Sequence, residues 1–87
     1  MRAAVLDDLD WSEDAQATII GLAHAQSTLT ADDLARELRK PPHPNMVGAA
    51  FRAALTAGHI SPVGYQVSTT PTRRHGLVRV WARRVQP

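Results

Sequence analysis

A chain of 87 residues can hold one hydrophobic core and no more, because either half alone would bury too little apolar surface to fold. It has no cysteine, which excludes disulfides and thiolate metal centres and suits a reducing, cytoplasmic setting. The net charge of +2 hides an asymmetry: residues 1–33 carry one basic residue against seven acidic ones, whereas residues 34–87 carry nine against one. The C-terminal part is therefore a candidate surface for a polyanion, the alternative being two solvated ends that neutralise each other.

In chain order, Val5, Leu6 and Leu9 form an apolar strip among aspartates, read as an N-terminal arm or short helix over residues 1–11. Neither a basic-plus-apolar leader nor a run of membrane-spanning length is visible, so neither export nor anchoring is expected. Ser12 offers a helix cap, Glu13 and Asp14 suit the positive helix start, and Ala15, Ile19, Leu22 and Ala23 recur at helical spacing. A first main helix is predicted from about Ser12 to about Ala25. Thr28 and Leu29 favour extended backbone and predict a short rung beside a later hairpin.

Thr30 followed by Asp33 resembles a capping box, and Leu34, Ala35 and Leu38 give a second helix its buried stripe before Pro41, Pro42 and Pro44 stop it. Asn45 is the expected cap of a third helix, with Val47, Phe51, Ala54 and Leu55 facing inward and Gly58 closing it. Ile60, Val63, Tyr65 and Val67 then start a β pattern, Ser68 to Gly76 is a polar turn, and Leu77 to Arg83 alternates apolar with basic or small residues. The predicted core is Ile19, Leu22, Leu34, Leu38, Phe51 and Leu55, with Trp81 an anchor under the hairpin and Trp11 sealing the first helix. No repeat or low-complexity linker interrupts this order.

The run Leu29-Thr30-Ala31-Asp32-Asp33-Leu34, the third helix with Gly58-His59-Ile60, and Gly64-Tyr65 before a basic hairpin resemble winged helix-turn-helix DNA-binding proteins. Pro44-Asn45, Gly48-Ala49-Ala50-Phe51, Ser68, His75-Gly76 and Val80-Trp81 are loosely similar to the small ones of actinobacterial phages and prophages. The resemblance spans residues 12–84, leaving 85–87 as a tail, and implies an α+β fold: a three-helix core with a C-terminal two-stranded β-hairpin wing. It also implies binding to double-stranded DNA, in transcriptional regulation or in phage or prophage DNA transactions such as excision or replication.

Arg73, Arg74 and His75 fall at the predicted wing tip, where guanidinium groups reach phosphate oxygens or a minor groove unless the turn is simply solvated. Arg79 and Arg83 share one face of the returning strand, as DNA contacts or as a solvent-facing surface. On the outward face of the third helix stand Asn45, Gly48, Ala49, Arg52 and Thr56, of which Asn45 and Arg52 have the geometry for bidentate base contacts. That small-residue face equally suits a protein partner. Arg36, Arg39 and Lys40 are accounted for by the dipole of the second helix.

Catalysis is not expected. His24, His43, His59 and His75 lack metal-ligand spacing, the acidic cluster Asp7, Asp8, Asp10, Glu13 and Asp14 lacks a calcium-loop glycine, and Ser68 with His75 has no acidic orienter. No cofactor is implied. A homodimer through Val5, Leu6 and Leu9 is the candidate assembly. The competing function is a protein-interaction module of the same fold in a replication or transcription assembly.

Overall fold

The computed structural model describes the backbone of residues 2–67 and 76–84, and the side chains of residues 9–67 and 76–84. Three helices, α1 (Arg2–Ala25), α2 (Ala31–Glu37) and α3 (Met46–Thr56), precede an antiparallel hairpin of β1 (Ile60–Val67) and β2 (Leu77–Arg83). The fold is therefore a small α+β arrangement. No helix among the described residues is long and apolar enough to cross a membrane.

One helix replaces the expected break at Ser12. The residues before it include the strong helix formers Ala3, Ala4, Leu6 and Leu9 and no glycine or proline, so the helix runs through and Ser12 is an exposed interior position rather than a cap. The buried stripe of α1 is Trp11, Ala15, Ile19 and Ala23, each four residues from the last, with Leu22 half-buried beside it. The Trp11 indole N–H donates to the carbonyl of Arg39 at 2.8 Å, and the Gln16 amide donates to the carbonyl of Ala50 at 2.8 Å. Trp11 fastens α1 to the segment after α2, and Gln16 fastens it to α3.

Thr30 caps α2 through both arms of a capping box: its hydroxyl accepts from the Asp33 amide at 3.3 Å, and the Asp33 carboxylate accepts from the Thr30 amide at 2.9 Å. That reciprocal pairing matters for a helix of only seven residues, which propensity alone would not hold. Residues 38–45, with three prolines, join α2 to α3; this connector is longer than the three- or four-residue turn of a compact helix-turn-helix. Asn45 sits at the helix start in helical rather than extended conformation and makes no capping hydrogen bond, contrary to expectation. With its backbone already helical, Asn45 lacks the extended conformation from which a capping side chain reaches the free amides of the first turn.

The end of α3 is a Schellman arrangement. Gly58 adopts φ +86°, its amide bonds the Leu55 carbonyl at 3.0 Å, and the His59 amide bonds that of Ala54 at 3.0 Å. This reversal sends the chain directly into β1. The strand carries a bulge at Val63, since Pro62 pairs with Trp81 and Gly64 pairs with Val80. On the other side of β2, Leu29 and Trp81 exchange two backbone hydrogen bonds of 2.8 and 2.9 Å, adding the short rung expected around Thr28 and Leu29.

The core gathers Trp11, Ala15, Ile19, Leu29, Leu34, Ala50, Phe51, Ala54, Ile60 and Trp81. Leu22, Leu38 and Leu55, expected within it, are only partly buried against its edge. On α3 the buried stripe is Ala50, Phe51 and Ala54, so the helix is turned to bring alanines inward and to leave Val47 and Leu55 at its flank. Small side chains let α3 lie close to α1, and that rotation decides what α3 shows beside the hairpin.

Candidate functional site

Stacking of two aromatic rings sets the relation between α3 and the hairpin. Phe51 and Trp81 lie with ring centroids 5.4 Å apart and planes 20° from parallel, both nearly excluded from solvent. Above this pair opens a groove of about 460 Å³, walled by Val47, Gly48, Arg52 and Leu55 of α3 and by Leu77, Arg79 and Trp81 of β2. The absence of a side chain at Gly48 leaves that wall open, with no atom within 4 Å of where a Cβ would stand.

The groove is basic at its rim. The Arg79 guanidinium donates to the Tyr65 hydroxyl at 2.5 Å, and its central carbon lies 5.1 Å from the Tyr65 ring centroid and 5.7 Å from that of Trp81. The register explains this: Tyr65 and Arg79 are directly opposed across the hairpin, and Trp81 follows two residues on along the same strand face. A guanidinium held between two rings keeps its charge while losing conformational freedom, so less entropy remains to be lost on contact with an anion. Arg52 projects from α3 as an exposed cation on the facing wall.

Carboxylates are held elsewhere. Among the described residues lining the groove none is acidic. Arg36 is paired with Asp33 on α2, and Arg39 reaches Asp14 of α1 at 2.7 Å, so two of the basic residues after position 33 are matched by carboxylates away from the groove. Neither Arg52 nor Arg79 takes part in an ion pair among the described residues.

Of the residues expected to contact DNA, the structure brings Arg52 and Arg79 to one groove. Asn45 and Thr56 are exposed at the two ends of α3 but do not line it. Arg83 is separated from Arg79 in surroundings, although the two share strand parity: its guanidinium lies 3.3 Å from Nδ1 of His24, at the end of α1. Twist of the hairpin and the intervening buried Trp81 part what alternation alone puts on one face. Arg73, Arg74 and His75 lie outside the described residues, as do the side chains of Val5 and Leu6 and residues 85–87.

The clamp that Tyr65 and Trp81 form around Arg79 is not among the sequence expectations. A hairpin symmetric about residue 72 pairs Tyr65 with Arg79, and that count is available in the sequence. Among the described residues, no three His, Cys, Asp or Glu side chains converge as a metal site would require. No protein-family profile matches the chain, and comparisons with curated proteins and with solved structures give no match.

Proposed function

We propose that this chain is a winged-helix DNA-binding domain that sets α3 and the hairpin, as its wing, against duplex DNA and carries out no chemistry of its own. The observation that carries this function is the groove between α3 and β2, with Arg52 on one wall, a clamped Arg79 on the other and no acidic residue among the described ones lining it. Arg79, pre-ordered by Tyr65, suits a phosphate of the backbone; Arg52, free on a helix face bordered by Gly48 and Ala49, suits a base edge in the major groove. The long connector between α2 and α3 departs from a tight helix-turn-helix, so DNA binding is supported by the groove and its charge rather than by the turn.

Fluorescence anisotropy with labelled duplexes, taken from about 50 to about 200 mM salt, tests it. Affinity falls steeply with salt in the parent, and Arg79→Ala lowers the slope by about one, as expected when one phosphate is no longer neutralised. Binding that ignores salt, or an Arg79→Ala slope equal to the parent's, refutes the assignment.

A protein partner is the second reading. Val63, Tyr65, Val67 and Leu77 on the hairpin are between 56% and 66% exposed, an apolar surface that a protein would cover more readily than a phosphate backbone. Salt-insensitive capture of a protein, together with no affinity for duplex, favours it.

A further inference from the structure

Away from the groove, the start of the hairpin meets the C-terminal ends of α1 and α3 in a second cleft, of about 380 Å³. His24, His59, Arg83 and Arg84 line it together with Ala57 and Gly58, and none of the described lining residues is acidic. It shares no lining residue with the groove that holds Arg52 and Arg79. Backbone geometry brings the four cationic or imidazole groups together: the Arg84 amide donates to the His59 carbonyl at 3.0 Å, closing the base of the hairpin, and Arg83 packs beside His24.

The C-terminal ends of α1 and α3 border the cleft, and each places about half a negative charge on its last carbonyls. Their sum, about one charge, is half of what Arg83 and Arg84 supply, so the cleft retains positive charge after the dipoles are satisfied. The Arg83 guanidinium can only donate, so its 3.3 Å approach to Nδ1 of His24 is a hydrogen bond in the tautomer that carries its proton on Nε2, and that Nε2–H is then a further donor. Excess charge and donors from three elements, in a concave site, are what a tetrahedral oxyanion requires.

We infer that this cleft is a phosphate-binding site, in which Arg83 and Arg84 neutralise the anion and His24 and His59 donate to its oxygens. Phosphate here has two sources, the backbone of a polynucleotide or free phosphate, and the site holds on its own chemistry whether or not the groove binds DNA.

The test uses the full chain. Inorganic phosphate, titrated at constant ionic strength against chloride and followed by two-dimensional NMR, shifts the Gly58 amide and the His24 and His59 ring signals in a saturable way. Arg83→Gln with Arg84→Gln weakens that binding roughly tenfold or more, whereas Arg52→Gln leaves it unchanged. Ala57→Glu is a second variant that leaves both arginines in place and puts a carboxylate at the cleft; it also abolishes the shifts, which keeps the test meaningful should the double variant fold poorly. Shifts that fail to saturate, or that persist in both variants, overturn the site. A duplex titration then separates the sources: a salt slope lowered by about one in the double variant, as for the loss of one neutralised phosphate, assigns the backbone, and an unchanged slope with phosphate binding abolished assigns free phosphate.

Discussion

Replacing Phe51 and Trp81 by leucine, singly and together, measures how firmly the hairpin is held to α3. Both rings are nearly excluded from water, and their centroids are 5.4 Å apart at 20°, so each single replacement removes burial together with the stack, and the double replacement loses that same stack only once. Truncation of a buried aromatic to alanine costs about 3–5 kcal/mol, and leucine retains much of the volume, so Trp81→Leu should cost roughly 2 kcal/mol and Phe51→Leu roughly 1 kcal/mol. Aromatic pairing adds about 0.5–1.5 kcal/mol beyond buried area, which predicts a coupling of about 1 kcal/mol in the double-mutant cycle. With total stability on the order of 4–13 kcal/mol for a chain of this length, all three variants remain folded enough to measure. Urea denaturation followed by far-ultraviolet circular dichroism gives the four free energies. Additivity within about 0.3 kcal/mol would refute stacking as the link between helix and hairpin, because independent sites add to that precision.

The same structural logic gives other outcomes. Thr30→Ala should cost about 1 kcal/mol more than Thr30→Ser, since serine loses only the methyl group while alanine also leaves the Asp33 amide without its cap; equal melting temperatures would remove the capping box from the account of α2. Gly58→Ala should destabilise by about 1 kcal/mol although nothing lies within 4 Å of the added Cβ, because φ +86° is unfavourable for any side chain; calorimetry showing no loss would contradict this. Arg39→Ala should change stability by less than about 1 kcal/mol in urea titrations, since both Arg39 and Asp14 are more than half exposed and water screens their pair. If Arg52 reads a guanine, Arg52→Ala should cost about 1–3 kcal/mol on the preferred duplex and much less on random DNA, whereas Arg79→Ala should weaken both alike; competition binding against the two duplex classes distinguishes these patterns.

Local chemistry in the chain is enough for the α2 cap, the glycine stop of α3 and the two strands, because each depends on neighbours a few residues away. Thr30 with Asp33, Gly58 after Ala57, and the alternation from Leu77 to Arg83 carry their own instructions. Local chemistry misleads at Ser12 and Asn45, since a residue able to cap a helix need not do so. Whether a helix begins at such a residue depends on what precedes it and on the backbone it adopts: residues 2–11 of α1 are themselves helical, and Asn45 is already in helical conformation.

Of the candidate site, the sequence by itself determined the charge asymmetry and the identity of the cations, Arg52, Arg79 and Arg83 among them. Only the tertiary structure decided which of them share a surface. The rotation of α3 that buries Ala50 rather than Leu55, the Phe51–Trp81 stack and the hairpin register place Arg52 and Arg79 around one groove. The twist past Trp81 sends Arg83 to His24, His59 and Arg84 instead. The physical reason is that side-chain neighbourhood across elements is set by long-range packing, and strand alternation specifies a face without specifying what lies over it.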